Sequence, residues 1–270
     1  MKRVIEKALK LLNNINNETG YEDSDITSGI RRLNTDDRKV FMPQTQLVYN
    51  SDDEDGISNI EDYITELQYI ESTGTQYIST RLQATPNTHI VIDMQFTQAV
   101  GSDHSFLLGS NEQSSTSSSN TKFGFGFGWD YTPSTGHFIT NINDANHYAW
   151  TDAGFGDTNR HVWDLKSGSQ KIDNVEYSTT TISSNKTTDM YFYLFARRAS
   201  WNGGATEFCP MKLYSCQMYD GETLIRDFVP AYNSYLMLNG LFDRVEKVFY
   251  PNLRTETGYT DDFIAGPIAA

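Results

Sequence analysis

The amino-acid sequence predicts an all-β fold in which two antiparallel sheets pack face to face as a sandwich. Aromatic residues make up 13% of the 270 residues, with 16 Tyr and 15 Phe, and residues of this kind favour strands. From Leu67 onward, short runs rich in them alternate with Gly, Asn, Ser and Asp, and no helical period is found. This spacing of short strands is typical of β-sandwiches.

The predicted strands follow from runs of β-favouring residues bounded by turn-forming residues. They span residues 76–78, 89–96, 105–108, 122–127, 137–142, 161–165, 190–196, 209–219 and 222–229. In the second strand, alternation places one apolar set on a single face, namely Ile90, Ile92, Met94 and Phe96. In FGFGFGW the aromatic residues share one face, and Gly124, Gly126 and Gly128 leave the other face bare for close approach of another group.

The N-terminal region differs from the rest of the chain. Ile5, Ala8, Leu12 and Ile15 follow three- and four-residue steps, which predict one apolar face of a short helix. The residues that follow, to about position 60, are polar and bury too little to fold alone. We therefore expect an anchoring or oligomerisation segment at 1–63, with an extended part after its helix, and a sandwich domain at 64–270.

Charge and composition exclude several classes of partner. The formal net charge of -14 opposes binding to nucleic acid or anionic lipid by long-range repulsion. No apolar run approaches the roughly 20 residues of a membrane span, and residues 1–15 lack the continuous apolar stretch of a signal peptide. Cys209 and Cys216 are too few for a disulfide framework and are expected to be unbridged, and Trp163 is expected in the core.

Several segments resemble a concanavalin A-like, laminin-G-like module frequent in phage and prophage structural proteins of gut bacteria. LQYIESTGTQYIST at 67–80 resembles its opening, and MKLYSCQMYDGETLIRDFVPA at 211–231, GLFDRVEKVFYPN at 240–252 and FIAGP at 263–267 resemble its closing strands and tail. RHVWDL at 160–165 and YFYLFA at 191–196 match between them, in order. The resemblance implies a two-sheet jelly roll over 64–268, a place on the virion surface after synthesis in the host cytoplasm, and a homotrimer.

Sugar binding needs an exposed aromatic ring for stacking, with polar groups nearby to bond the hydroxyls. Three predicted loops supply this mixture, at residues 129–137, 143–152 and 197–205. The candidate carbohydrate-binding residues are Trp129, Tyr131, His147, Trp150, Trp201 and Asn202. For each aromatic residue, packing under a loop is about as good an explanation as a ligand role.

The sequence contains no strong pattern for a metal site or a catalytic site. Asp144, Asn146, Asp152 and Asp157 have oxygens suited to calcium, but their spacing matches no tight calcium loop. No cofactor is therefore expected, and calcium is the alternative that stays open. The five His residues show no zinc-binding or triad spacing. Hydrolases on this fold carry alternating carboxylates along one strand, whereas the strand at 89–96 offers only Asp93, so we expect no enzyme.

The leading hypothesis is a bacteriophage fibre or decoration protein whose N-terminal segment docks on other virion proteins while the sandwich binds host-surface or mucus glycans. One alternative is a capsid or tail decoration that binds no sugar. A polysaccharide hydrolase is the third class.

Overall fold

The computed structural model describes residues 60–98, 105–113, 120–128, 137–142, 145–149, 157–178, 190–199, 204–253 and 262–270. They belong to one unit of the chain, which comprises Ser51–Arg254 and Asp261–Ala270. For 111–113, 120–128, 137–142, 145–149, 177–178 and 199 the description is of the backbone alone. The predicted N-terminal helix, with Ile5, Ala8, Leu12 and Ile15, and the extended segment after it lie outside these residues.

The described part of the chain is built almost wholly of strands, preceded by a 3-10 turn at Ile60–Tyr63. In chain order the strands are β1 (Ile64–Glu66), β2 (Ile70–Ser72), β3 (Ile78–Gln83), β4 (Thr88–Phe96), β5 (Ser105–Gln113), β6 (Asn120–Gly128), β7 (His137–Ile142), β8 (Ala145–Ala149), β9 (Arg160–Lys166), β10 (Ser169–Ile172), β11 (Val175–Ser178), β12 (Tyr191–Leu194), β13 (Arg197–Ala199), β14 (Gly204–Thr206), β15 (Met211–Asp220), β16 (Thr223–Asn233), β17 (Leu238–Asp243), β18 (Val248–Pro251) and β19 (Ile264–Ala265). None of the described residues forms a helix long and apolar enough to cross a bilayer.

The strands form two sheets. The larger sheet has the order β11-β10-β9-β4-β15-β16-β17-β18, with β1 beside β16 and with β2 between β15 and β19. The smaller sheet has the order β14-β13-β5-β6-β7-β8, with β12 between β3 and β5. Every described pair is antiparallel except β13 with β5. Neighbours such as β4 and β15 are far apart in sequence, so the chain crosses repeatedly between the sheets, and the expected all-β jelly-roll sandwich is confirmed.

The core lies between the two sheets. The predicted alternation in β4 is confirmed, since Ile90, Ile92, Met94 and Phe96 are all buried. They share one hydrophobic cluster with Leu107, Leu108 and Leu194 of the smaller sheet. Trp163 of β9 is fully buried, as expected, and so are Cys209 and Cys216, which form no disulfide.

The prediction of strands was incomplete where polar residues form them. The predicted loop at 143–152 contains β8, and the predicted loop at 197–205 contains β13 and the start of β14. ANHYA in β8 has the composition of a turn, but it pairs along its whole length with β7. Cross-strand pairing outweighs local propensity in such segments.

Candidate functional site

The sandwich has two outer faces, one on each sheet, opposite the core. On the larger sheet, His89 lies 2.8 Å from Asp164 through Nε2 and Oδ1 and stacks on Tyr219, with ring centroids 4.9 Å apart. The Tyr219 hydroxyl donates to Gln217, and the Gln217 amide donates to Asp227. Each polar group in this row already has a partner on the same sheet.

In a second row on the same face, the polar groups and rings also have partners on the sheet. Arg160 donates to both carboxylate oxygens of Asp93 at 2.7 Å, and its guanidinium carbon lies 3.7 Å from the ring centroid of Tyr214. The Tyr214 hydroxyl donates to Gln95 at 2.8 Å, and the edge of Tyr69 meets the same ring. A sugar would have to displace these contacts before it could stack, so the outer face of the larger sheet is a poor binding site.

The smaller sheet presents aromatic residues differently. In β12 Phe192 and Leu194 are buried in the core cluster, so Tyr191 and Tyr193 lie on the outer face. Tyr191 is 40% exposed, which leaves much of its ring open to solvent. Tyr193 packs on Tyr77, with ring centroids 4.9 Å apart, and Tyr77 meets Phe208. We call Tyr77, Tyr191, Tyr193 and Phe208 the tyrosine patch.

The register carries the outer face from the tyrosine patch across β5 to β8. Tyr193 pairs with Gly109, which is itself buried, and Gly109 pairs with Gly124. Gly124 pairs with Asn141, and Asn141 pairs with Asn146. Cross-strand partners share a face, so these five residues form one row on the outer side of the sheet.

Glycine lies at every second position in the second half of β6, on this outer face. Gly126 pairs with Ile139, which pairs with Tyr148, and Gly128 pairs with His137. Three glycines in alternation leave a strip of β6 without side chains, which we call the glycine strip (Gly124, Gly126 and Gly128). The sequence predicted this bare face, and the register places it on the outer side of the smaller sheet, separated from the tyrosine patch by β5.

Arg198 brings a positive charge to the tyrosine patch. Its guanidinium carbon lies 5.8 Å from the ring centroid of Tyr191 and 5.7 Å from that of Tyr193. The neighbouring Arg197 is buried, lies over Phe106 at 4.3 Å, and donates to Glu207. Burial lowers the pKa of Arg197, against the opposing effect of Glu207. The two adjacent arginines therefore differ in role, because Arg197 belongs to a buried ion pair and Arg198 contacts rings at the surface.

The sequence-predicted sugar-binding residues fall mostly outside the described part of the chain. Trp129 and Tyr131 follow β6, Trp150 follows β8, and Trp201 and Asn202 stand between β13 and β14. Gly128 and Ala149, which precede the first two of these segments, end their strands at the same end of the smaller sheet. Ala199 instead pairs with Asn111, toward the opposite end of β5. The strands that precede Trp129 and Trp150 therefore end at one end of the smaller sheet, whereas the strand that precedes Trp201 ends toward the other.

His147 lies in β8, where only the backbone is described. It pairs with Thr140, which pairs with Phe125, which in turn pairs with the buried Leu108. The register therefore places position 147 on the core-side face, whereas its neighbours Asn146 and Tyr148 are on the outer face.

The tyrosine patch was missed in the analysis of the sequence. YFYL was predicted as part of a strand at 190–196 without an assignment of its two faces, and only Phe192 and Leu194 are buried. The available signal was the alternation itself, because tyrosine at every second position of a strand puts its hydroxyl-bearing ring on one face. Arg198 was within a predicted loop, although it lies in β13.

One histidine outside this face is held between two carboxylates. His161 Nδ1 lies 2.7 Å from Asp173 Oδ2, and its Nε2 lies 3.1 Å from Asp157 Oδ1. Burial disfavours the charged imidazole, but the hydrogen bonds to Asp173 and Asp157 outweigh it and raise the pKa of His161. The backbone N–H of Asn159 donates to Asp157 and is the main cause that lowers the pKa of Asp157. The hydrogen bond with His161 lowers this pKa further.

The metal candidates give no cluster in the described residues. Asp144 and Asp152 lie outside them, and Asn146 is described by its backbone only. Asp157 is engaged by Asn159 and His161. Within the described ranges, no three His, Cys, Asp or Glu side chains come together to hold a metal ion.

Comparisons with known proteins bear on the fold. No family model matches the sequence, and no curated protein matches it. Among solved structures, the chain is similar to a crystal structure of a protein from Bacteroides ovatus, provisionally named as carbohydrate-binding, with 9% sequence identity and a TM-score of 0.50. The match covers 76% of this chain and 61% of that protein, so the chain spans less than two thirds of its neighbour's length. At this identity the likeness shows a shared sheet-rich fold.

Proposed function

We propose that this chain binds carbohydrate without hydrolysing it, on the outer face of the smaller sheet. The observation that carries the proposal is the exposure of Tyr191 near Arg198, on the outer face that continues across β5 to the glycine strip. The aromatic rings of the larger sheet are instead occupied by their neighbours. An exposed tyrosine ring stacks on the apolar face of a pyranose. The name of the Bacteroides ovatus protein with a similar fold supports the same class of ligand.

The glycine strip suits a sugar because it lets the ligand lie close to the sheet. Gly124, Gly126 and Gly128 bring no side chain to this face, so along β6 the ring of a sugar meets backbone. On β5 the partner of Gly126 is Phe106, which is buried with Arg197 over its ring, so the open part of the strip is the side toward β7. Asparagine both donates and accepts hydrogen bonds, as sugar hydroxyls require. Asn141 and Asn146 stand in the same cross-strand row as Tyr193.

The arrangement of carboxylates near this face favours binding without hydrolysis. Hydrolysis requires two carboxyl groups roughly 5 to 10 Å apart across the bond to be broken. The row from Tyr193 to Asn146 contains no Asp or Glu, and Glu207, near the tyrosine patch, is paired with Arg197. Incubation with capsule or mucin polysaccharides should release no reducing ends, and their release would contradict this part of the proposal.

The test of the site compares two tyrosines on opposite faces. Tyr191→Ala should remove a stacking contact and lower affinity for a glycan found by array screening about threefold to tenfold. Tyr219→Ala, on the larger sheet, is the matched control and should leave affinity unchanged. Loss of binding only in the control would move the site to the larger sheet.

Trp150 and Trp201, the candidates predicted from the sequence, provide a second test of the same proposal. Trp150 follows β8, which ends at the same end of the smaller sheet as the glycine strip. Trp201 follows β13, which ends toward the opposite end of the sheet. We expect the larger loss of affinity for Trp150→Ala. An effect of Trp201→Ala alone would place the ligand at the other end.

We further propose that the protein is carried on a bacteriophage particle as a homotrimer, attached to other virion proteins through residues 1–60. The support is the sequence resemblance, whose segments coincide with β2, β3, β9, β12 and β15 to β19. Deleting residues 1–59 keeps the buried Ile60, so the sandwich should remain folded. The truncated protein should be monomeric by light scattering and absent from purified virions.

Two results would revise this assignment. Normal incorporation of the truncated protein would mean that the sandwich itself docks on the particle. Incorporation of the full chain without binding to any glycan would favour the decoration role without sugar binding.

A further inference from the structure

Arg198, like Arg81 of β3, contacts a tyrosine ring and makes no ion pair in the described part of the chain, whereas four other described arginines do. Arg160, Arg197, Arg226 and Arg244 each form an ion pair, with Asp93, Glu207, Asp243 and Glu66 respectively. Within the described part of the chain, Arg198 makes no ion pair, and its contacts are with the rings of Tyr191 and Tyr193. It is also partly buried. A partly desolvated guanidinium without an anion is one that an anionic ligand can stabilise.

Arg198 pairs in register with the buried Ser110, and its guanidinium reaches the tyrosine patch through its contacts with Tyr191 and Tyr193. The outer face that continues from the tyrosine patch has no acidic residue along the described strands β5 to β8. The register gives its positions from Gly109 onward, and they are occupied by Gly109, Asn111, Gln113, Asn120, Lys122, Gly124, Gly126, Gly128, His137, Ile139, Asn141, Asn146 and Tyr148. Lys122 adds a second cationic residue to this face, two positions before Gly124. The chain has 35 Asp and Glu against 21 Lys and Arg, so an acid-free face stands out from its composition.

We infer that the sugar bound at this face carries a carboxylate, as uronic and sialic acids do, and that Arg198 binds that carboxylate. This inference rests on the proposed function. Arginine presents a planar pair of N–H groups that matches a carboxylate, and the two tyrosine rings hold this pair beside the stacking surface.

The negative charge of the whole chain opposes this ligand only at long range. Beyond about 8 Å, exposed charges are largely screened at physiological ionic strength. A nucleic acid presents many phosphates along an extended surface, whereas a short acidic oligosaccharide places few charges against one local face. The local contact with Arg198 therefore decides binding.

The test uses the full chain and paired ligands at about 0.15 M salt. Oligogalacturonate is compared with a neutral galacto-oligosaccharide, and sialyllactose with lactose, by calorimetric titration. We expect the wild type to prefer the acidic member of one pair, which also distinguishes a uronic from a sialic acid. Arg198→Gln should weaken that acidic ligand about tenfold to a hundredfold, the usual effect of a charged hydrogen bond.

Two variants and one stability measurement make the test specific. Arg198→Lys should restore part of the affinity, since it keeps the charge and loses the planar pair of donors. Lys171→Gln, on β10 of the larger sheet, removes a charge elsewhere and should change nothing. Thermal unfolding of Arg198→Gln should match the wild type, which separates lost binding from lost structure.

The failures are distinguishable. If acidic and neutral ligands bind equally and Arg198→Gln has no effect, the inference is wrong while sugar binding stands. If the wild type binds none of the four ligands and no glycan on an array, the proposed function falls together with the inference.

Discussion

The two outer faces of the sandwich differ in how their aromatic residues are used. On the larger sheet, Tyr214 is covered by Arg160 and Tyr219 is stacked on His89, so the rings hold strands together. On the smaller sheet, Tyr191 remains 40% exposed, on the same outer face as the glycine strip but separated from it by β5. Aromatic content alone therefore does not mark a binding face. What distinguishes the two is whether the neighbours already occupy the rings and polar groups.

The same contrast predicts which face supports stability and which supports binding. Changes at the larger sheet should lower the free energy of unfolding and leave glycan affinity alone. Changes at the exposed Tyr191 and at Arg198 should lower glycan affinity and leave the free energy of unfolding unchanged. Stability and affinity measured on the same variants test this division. A variant of the larger sheet that loses glycan affinity would contradict it.

Cys209 and Cys216 should react with alkylating reagents only when the sandwich opens. Both thiols are fully buried, and burial raises the pKa of each well above its ordinary value. Exposure then costs the global unfolding free energy, at least about 5 kcal/mol, so labelling should be on the order of a thousandfold slower than in the unfolded chain. Intact mass after alkylation without reductant should show two modified thiols in denaturant. Rapid labelling of the native protein would show that the core opens locally.

Trp163→Ala should lower the free energy of unfolding more than any surface substitution on the larger sheet. Trp163 lies in β9 of that sheet, is fully buried and belongs to the shared core. Truncation of such a side chain costs about 3 to 5 kcal/mol. Urea unfolding measures the loss, and Trp163→Phe should cost less. The fraction of Trp163→Ala that stays folded should bind glycan as the wild type does, and a parallel loss of affinity would contradict the division between the faces.

The fold could be predicted from sequence because its core strands alternate. Ile90 to Phe96 in β4 show a period of two and are buried accordingly. The strands that were missed owe their existence to pairing rather than to composition, as β8 does to β7. No local pattern in ANHYA reveals that partnership.

The candidate site was harder to predict because it depends on register. Gly124 lies beside Asn141 and, across Gly109, near Tyr193 only because β5, β6, β7 and β12 align in one way. A shift of one residue would turn the glycines to the opposite face. The sequence identified the bare glycine face, but it could not show which neighbours border it.

Arg160→Met tests the closed network of the larger sheet directly. It removes the paired hydrogen bonds to Asp93 and the contact with the Tyr214 ring. Arg160 is about half exposed, so solvent screening limits the expected loss of stability to about 1 kcal/mol. Asp93→Asn is the partner variant, and the two effects should not add, because they break the same pair. Glycan affinity should be unchanged in both, and a fall in affinity would show that this face takes part in binding.

The smallest predicted effect is the pH dependence that His161 gives to stability. Its pKa is raised in the folded protein, so its stabilising contribution is fully present below the ordinary value of 6.5 and is lost as the pH rises through the folded value. Asp157 and Asp173 have lowered pKa values, so their contribution is present above the ordinary value of 3.8 and is lost as the pH falls through the folded values. The group should therefore stabilise the larger sheet most between about pH 4 and pH 6.5.

Urea unfolding at pH 5.5 and pH 8.5 measures this contribution. Both carboxylates are exposed by more than a third, at 42% and 47%, so after screening we expect a difference on the order of 0.5 kcal/mol for the His161 contacts. His161→Gln should remove that difference while keeping the side chain polar. His89→Gln is the matched control, since His89 also faces a carboxylate of the larger sheet but lies outside this group. If His161→Gln kept the full pH dependence, another group would have to be responsible, and the pairing of His161 with Asp157 and Asp173 would contribute nothing measurable to the fold.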